Sequence, residues 1–151
     1  MVLLKHKIPP PLVTLGFVFI SFGLSNYLPR IEFYLQGVLS FFFIFAGLLI
    51  GLLALRSFNK YRTTFDPLHP DKATRLVTDG LFSFSRNPMY LGLLLALAGV
   101  AIYNGIFSGL IILPGFILYI THFQIKPEEE AMARLFGKEF LQYSKSVRRW
   151  I

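Results

Sequence analysis

The sequence contains no cysteine, which excludes thiolate catalysis, cysteine-based zinc sites and a disulfide-stabilised fold. Charge is also scarce, because charged residues make up only 15% of the chain, against about 25% in a typical soluble domain. Acidic residues are the scarcer kind, with 8 Asp and Glu for 15 Lys and Arg. Hydrophobic residues account for 54%, so polar surface is too limited to coat a globule. This composition predicts a small integral membrane protein whose basic side chains meet a membrane surface.

Three stretches without a charged residue interrupt the chain, at residues 8–29, 33–55 and 87–125. A transmembrane helix needs about 20 residues, so each of the first two stretches predicts a single span. The third stretch is about twice as long, and the Tyr-Asn-Gly sequence at 103–105 supplies turn residues near its middle. It therefore predicts two spans separated by a tight turn.

The turn divides the third stretch into spans at 88–104 and 106–125. We therefore predict an all-α fold, an integral membrane bundle of about four transmembrane helices formed by one domain over residues 1–151. A cytoplasmic loop at 57–86 joins the two halves. A loop of this length is unusual in a compact protein unless it is functional.

The basic residues lie almost entirely on one side of this predicted bundle. If the N-terminus is cytoplasmic, Arg30 alone among the 15 Lys and Arg lies outside. Cytoplasmic segments are enriched in Lys and Arg, so we expect both termini and the 57–86 loop to be cytoplasmic. The first apolar stretch is longer than the about 7–15 residues of a signal peptide core. A prokaryotic inner membrane is the expected location, since the chain is compact and shows no retention signal.

The residues after the fourth span predict a C-terminal helix over about 127–147. Pro127 suits the first helical position, and the three glutamates that follow would occupy the first turn, where the helix dipole favours anions. Apolar residues then recur at spacings of three and four, which predicts one apolar stripe; they are Met132, Phe136, Phe140, Tyr143 and Val147. Such an amphipathic helix would lie on the bundle or in the membrane interface.

Small residues four positions apart occur in the second and third spans, at Gly47 and Gly51 and at Gly92 and Ala96. These pairs predict close helix packing rather than a ligand site. The three histidines are far apart and lack ligand spacing, so we predict no metal site.

The start of the third span combines structural and chemical signals. Asn87 is the predicted N-cap and Pro88 the first helical residue. A helix N-terminus offers unpaired N–H groups to an anion, and Arg86 adds a planar donor pair suited to a carboxylate. A purely structural role explains this stretch alone, and Glu128-Glu129 alone fits a solvated helical turn. Together, at one membrane face, they match a zwitterionic amino-acid ligand.

An ordered series of short motifs runs through the second half of the chain. It comprises Leu76-Val77-Thr78-Asp79-Gly80, Ser85-Arg86-Asn87-Pro88-Met89-Tyr90-Leu91-Gly92, Glu128-Glu129, Phe136-Gly137-Lys138-Glu139-Phe140, Tyr143 and Val147-Arg148-Arg149-Trp150. The series resembles the isoprenylcysteine carboxyl methyltransferase and phospholipid methyltransferase group of integral membrane enzymes. The resemblance implies S-adenosylmethionine as methyl donor, with S-adenosylhomocysteine as product. It also implies a lipophilic small-molecule or lipid acceptor that arrives from the bilayer.

The resemblance also implies roles for individual residues. The implied catalytic residues are Arg86, Tyr90 and Arg149. The implied cofactor-binding residues are Arg86, Asn87, Pro88, Tyr90, Gly92, Glu128 and Glu129, with Arg86 at the donor carboxylate and the glutamates at its amino or ribose groups. The implied substrate-binding residues are Tyr143 and Arg148. Asn87 stands where relatives often carry a histidine, so this position cannot titrate here.

The acceptor is expected to be a lipophilic carboxylate that resembles a prenylcysteine. A carboxylate is ionised at neutral pH, whereas an amine must first lose a proton to a base. Arg148 and Arg149 would also attract an anion. N-methylation of an amine phospholipid and S-methylation of a small thiol stay open as alternatives. Outside enzymes, a small four-span transporter subunit is the competing hypothesis, although the charge-free stretches lack the coupling carboxylate that such a protein needs.

Overall fold

The computed structural model of the protein describes residues 8–61 and 74–151, apart from the side chain of Asn59. Every regular element within these residues is helical, which confirms the all-α prediction. The α-helices are α1 (Pro10–Ser25), α2 (Gln36–Lys60), α3 (Pro88–Asn104), α4 (Ile106–Ile120) and α5 (Lys126–Ser146). A 3₁₀ turn, Gly80–Ser83, precedes α3, and a π-helical turn, Thr121–Ile125, joins α4 to α5. The section 62–73 of the predicted 57–86 loop lies outside the described residues.

Two of the helices are long and apolar enough to cross a membrane. They are the Gln36–Phe58 part of α2 and the run from Ile106 to Ser146, which is kinked at Gly137. The apolar helices α1 and α3 are shorter, with 16 and 17 residues. The outer surface of α2 is rich in exposed phenylalanine, as at Phe41, Phe42 and Phe45. An apolar surface of this extent is typical of a protein that contacts lipid.

Helices α2 and α3 pack against each other through small residues. A Cβ on Gly47 would lie 2.6 Å from the backbone nitrogen of Ala96, and a Cβ on Gly92 would lie 2.5 Å from the Gly47 carbonyl oxygen. Farther along the pair, the Ser40 hydroxyl donates to the Gly99 carbonyl oxygen at 2.8 Å. The predicted close packing is therefore confirmed, because only glycine lets these backbones approach so closely.

The hairpin of α3 and α4 turns at Gly105, inside the predicted turn sequence. Gly105 has φ +108°, a conformation that favours glycine. Next to it, the buried Asn104 amide donates to the Ser21 hydroxyl at 3.1 Å, and the Ser21 and Ser108 hydroxyls lie 3.2 Å apart. This buried polar contact ties α1 to the hairpin.

Two clusters of buried apolar residues hold the helices together. The first joins α1, α3, α4 and the π-helical turn, and its members are Val13, Tyr90, Leu97, Ala101, Ile112, Phe116, Ile120 and Ile125. The second joins α2, the segment before α3 and α5, and its members are Ala54, Val77, Phe82, Phe140 and Tyr143. All five residues of the predicted apolar stripe on α5 belong to this second cluster or pack against it.

No new helix begins at Pro127. The chain stays helical from Ile106 across Pro127 as far as a kink at Gly137 (φ +48°, ψ −117°), and the Lys126 N–H donates to the Thr121 carbonyl oxygen five residues back. Proline lacks an N–H, and its ring clashes with a carbonyl in a regular α-helix, so the wider π turn accommodates it. The glutamates at 128–130 therefore do not lie at a free helix N-terminus. The expected interaction with a free helix N-terminus is therefore not found, and Glu128 and Glu129 have side-chain partners instead.

Candidate active site

A cavity of about 480 Å³ lies beside the N-terminus of α3. Its volume falls within the roughly 300–1,000 Å³ of small-molecule sites. The walls are mainly apolar and come from α2, the segment before α3, α3 itself and α5, with Leu55, Phe58, Leu76, Val77, Phe82, Leu93, Met132 and Phe140 as the main contributors. One part of the lining is charged and polar, with Arg86, Tyr90, Glu128 and Glu129. The cavity therefore combines an apolar interior with one polar region.

Arg86 is the centre of the polar region. Its Nη2 donates to Glu129 Oε1 at 2.6 Å, and its Nη1 donates to the carbonyl oxygens of Ser144 at 2.7 Å and Val147 at 3.1 Å. Its backbone N–H donates to the Arg148 carbonyl oxygen at 3.0 Å. The side chain is 12% exposed. Arg86 therefore joins the start of α3 to α5 and to the residues that follow it.

Glu129 pairs with a second arginine as well. Arg149 Nε donates to Oε1 at 3.0 Å and Arg149 Nη2 donates to Oε2 at 2.7 Å. These hydrogen bonds raise the pKa of the Arg149 guanidinium, so it stays charged. Both oxygens of Glu129 are thus engaged, and a planar two-point contact of this kind is among the stronger ion pairs in proteins.

Glu128 has a different environment from its neighbour. The Tyr90 hydroxyl donates to Glu128 Oε1, and Tyr90 itself is buried. Among the residues that the structure describes, no basic side chain pairs with Glu128, whereas two pair with Glu129. The two adjacent carboxylates therefore present different chemistry to the cavity.

Asn87 occupies the N-cap position of α3, but its side chain caps nothing. Its Nδ2 instead donates to the Arg149 carbonyl oxygen at 2.8 Å, and the backbone N–H of Asn87 donates to the Ser85 hydroxyl at 3.1 Å. The expectation of a capping side chain is wrong, because the folded C-terminal residues bring a backbone acceptor to the amide.

The structure brings together most of the candidate residues from the sequence. Those on the cavity are Arg86, Asn87, Pro88, Tyr90, Glu128, Glu129 and Tyr143. The Tyr143 hydroxyl donates to the Phe82 carbonyl oxygen at 2.6 Å, which fixes one wall. Gly92 lies elsewhere, against Gly47 and Gly51 of α2, where it serves helix packing. The Arg148 side chain is exposed, and only its backbone carbonyl joins the network.

Sequence reasoning missed several residues that line the cavity. Pro9, Pro10 and Pro11 at the start of α1 belong to the lining. No motif marks them, because their place depends on how α1 packs against the hairpin. Val77 and Phe82 also line the cavity; Val77 lies inside the motif at 76–80 and Phe82 two residues after it, but nothing in the sequence marks either as a lining residue.

The chain is similar in sequence to known proteins. A sequence profile described as phospholipid methyltransferase matches residues 35–139. An uncharacterised protein of Haemophilus influenzae is 42% identical over 66 residues, which are 42% of this chain and 100% of that protein. No solved structure matches the chain significantly. The profile match confirms the resemblance seen in the motifs and covers more than half of the sequence. The chain therefore belongs to the phospholipid methyltransferase family, a family of membrane methyltransferases.

Proposed function

We propose that the protein transfers a methyl group from S-adenosylmethionine to a lipophilic carboxylate at the cytoplasmic face of a membrane. One observation carries the proposal: Arg86, Tyr90, Glu128 and Glu129 meet at one part of a cavity whose walls are mainly apolar. A zwitterionic amino-acid group needs a cation and an anion close together. The apolar chain of a lipophilic acceptor would contact the remaining, apolar walls of the cavity. The methyltransferase family supports the reaction type and leaves the transporter alternative without support.

The donor set in the cavity fits the chemistry of S-adenosylmethionine. When bound, this cofactor supplies a methyl group that is displaced in line from a positively charged sulfur. Arg86, with the backbone N–H groups at the start of α3, would hold its carboxylate. Glu128 would hold the amino group, because it is the carboxylate without a basic partner in the described structure. Tyr90 and the N-terminal residues Asn87 and Pro88 would line the same pocket.

Glu129 has a supporting task in this proposal. Its two oxygens already accept hydrogen bonds from Arg86 and Arg149. Glu129 therefore keeps two guanidinium groups side by side that would otherwise repel each other. Holding charged groups in place before the ligand binds lowers the cost of organising the site. Arg149 is then available to the reacting groups, while Glu129 orients it.

The remaining work of the chain is to orient the two reactants and to exclude water. A carboxylate acceptor is already ionised, so the site needs no general base for it. Apolar walls such as Phe82, Met132 and Phe140 keep water away from the methyl group and suit an alkyl or prenyl chain. Holding reactants in line supplies a large part of the rate enhancement in such reactions.

The charges around the cavity support an anionic acceptor. Arg75 and Arg86 line it together with Glu128 and Glu129, and Arg149 adds a third positive charge through its contact with Glu129. The Arg75 guanidinium lies over the Tyr61 ring at 4.9 Å. The guanidinium groups of Arg86 and Arg149 share the single carboxylate of Glu129, and this local excess of positive charge favours a carboxylate over an ammonium head group.

The acceptor is tested with radiolabelled S-adenosylmethionine and two lipids offered side by side. We expect methylation of a prenylated cysteine analogue and little or none of phosphatidylethanolamine, for the charge reason above. Purified protein in lipid nanodiscs and scintillation counting of the extracted lipids provide the measurement. Methylation of the amine lipid alone would replace the carboxylate with the amine as acceptor. A small thiol is offered in a third reaction. If neither lipid nor the thiol receives a methyl group, the result counts against methyltransferase activity itself.

We also propose that α1, α2, α3 and α4 all cross the membrane, with both termini in the cytoplasm of a prokaryotic cell. The basic residues support this orientation, since Arg30 alone lies on the opposite side. α5 would then lie at the cytoplasmic face, beyond the charge-free part of its helix.

The absence of native cysteine allows a direct test of topology. Single cysteines at Lys60, Tyr103 and Ser146 place probes at the two faces, and Tyr103 is well exposed. We expect a membrane-impermeant maleimide outside intact inner-membrane vesicles of native orientation to label Tyr103→Cys only. Lys60→Cys and Ser146→Cys should react only after the membrane is permeabilised. Labelling of Tyr103→Cys from the cytoplasmic side would refute the four-span arrangement.

A further inference from the structure

The last residues of the chain cross the N-terminus of α3 and contact it repeatedly. We call residues 147–150 the C-terminal strap. Arg86 Nη1 donates to the Val147 carbonyl oxygen at 3.1 Å, and the Arg86 N–H donates to the Arg148 carbonyl oxygen at 3.0 Å. Asn87 Nδ2 donates to the Arg149 carbonyl oxygen at 2.8 Å. The backbone of the strap is thus bound to the residues that begin α3.

The far end of the strap is fixed to a different element. The Trp150 indole N–H donates to the Thr121 hydroxyl at 3.2 Å, and the ring packs against the first apolar cluster. Thr121 is the first residue of the π-helical turn. In the same turn, the fully buried Gln124 donates from Nε2 to the Ile8 carbonyl oxygen at 2.9 Å. The turn therefore holds both the strap and the segment that leads into Pro9–Pro11 of the cavity.

Arg149 lies between the two fixed points of the strap. Its own carbonyl is held by Asn87, and the next residue, Trp150, is held by Thr121. The Arg149 side chain is 35% exposed, so its surroundings alone do not confine it. A long side chain loses much rotamer freedom when it binds. If the backbone of Arg149 is already fixed, only the side chain has to lose conformational freedom when it binds Glu129. The anchor at Trp150 thus governs how well Arg149 is placed on Glu129.

We propose that Trp150 is a positioning residue of the donor site. Its hydrogen bond to Thr121 holds the strap against the π-helical turn, and this keeps the Arg149 guanidinium on Glu129 beside the cavity. The link to the donor rests on the proposed function. The mechanical link between Trp150, Arg149 and Glu129 does not, and it has its own readout.

Trp150 reports on its own position, because it is the one tryptophan in the sequence. Without any ligand, Thr121→Val removes the acceptor at nearly constant shape, and Glu129→Gln weakens the hold on Arg149. We expect both variants to shift the tryptophan emission to the red and to increase its quenching by acrylamide. Thr121→Ser keeps a hydroxyl and should match the wild type. Unchanged quenching in Glu129→Gln would show that Arg149 and Trp150 are not coupled, which overturns the proposal.

The donor side is measured by calorimetric titration with S-adenosylhomocysteine. Trp150→Phe keeps an aromatic ring but loses the N–H, and loss of a hydrogen bond of this type predicts an affinity about two- to tenfold weaker. In an Arg149→Gln background the same substitution should change the affinity very little, because Trp150 acts through Arg149. If Trp150 only stabilises the fold, Trp150→Phe would reduce the affinity equally in the wild type and in the Arg149→Gln protein. That result would overturn the proposal.

The two proposals fail in different ways. If wild-type protein binds no S-adenosylhomocysteine, the donor assignment falls, and with it the part of the inference that concerns the donor. The fluorescence comparison of Glu129→Gln with the wild type still decides whether the strap holds Arg149. If the wild type binds and Trp150→Phe binds equally well, the donor assignment stands and the positioning role of Trp150 is wrong.

Discussion

Arg86→Lys is expected to weaken the binding of S-adenosylhomocysteine by about 10- to 150-fold, since each hydrogen bond to a charged group contributes roughly 1.5–3 kcal/mol. Lysine keeps the positive charge, but its single ammonium cannot reproduce the planar guanidinium. In the native structure that group reaches Glu129 Oε1 and the carbonyl oxygens of Ser144 and Val147 at the same time. The loss therefore affects the ion pair and the attachment of the C-terminal strap together.

Titration calorimetry on protein in detergent micelles measures this effect directly. Arg56→Lys is the matched control, because Arg56 lies exposed on α2 and outside the cavity lining. We expect this control to bind S-adenosylhomocysteine like the wild type. Normal binding by Arg86→Lys would move the donor site away from the start of α3. A circular dichroism spectrum of each variant separates lost binding from lost folding.

Gly47→Ala is expected to destabilise the protein by about 1–3 kcal/mol, the usual cost of overpacking a tight interior. A Cβ at this position would lie 2.6 Å from the Ala96 backbone nitrogen and would also meet the Gly92 carbonyl oxygen. Both neighbours are backbone atoms of α3, so neither can rotate away like a side chain. The whole helix must move, which separates α2 from α3 and disturbs the start of α3 at the cavity.

Gly51→Ala provides the control one helical turn later on the same helix. A Cβ on Gly51 would find nothing within 4 Å, and alanine is about 0.8–1 kcal/mol better than glycine in a helix. Thermal unfolding in detergent should therefore occur at a lower temperature for Gly47→Ala and at the same or a higher temperature for Gly51→Ala. Equal shifts for both variants would mean that the helix contact does not depend on the missing side chain at Gly47.

The sequence by itself determined the local features of this protein. Stretches without charge predict apolar helices because a charged side chain is costly in a bilayer, and α1 to α4 lie mainly within these stretches. The turn at Gly105 and the close contact at Gly47 both depend on the missing side chain of glycine, which can be read directly from the sequence. The order of motifs identified the family, since a profile needs only the linear sequence.

The tertiary structure decided which of the polar residues pair with each other. Arg86 and Glu129 are 43 positions apart, and no periodicity specifies that one meets the other. The same holds for Trp150 and Thr121, and for Asn87, whose amide binds a distant carbonyl rather than its own helix. Hydrogen bonds between distant residues depend on how whole helices pack, and packing is a sum over many apolar contacts that no single motif contains. The sequence thus determined the helices and the family, while the packing of those helices decided which charged residues at the cavity pair with each other.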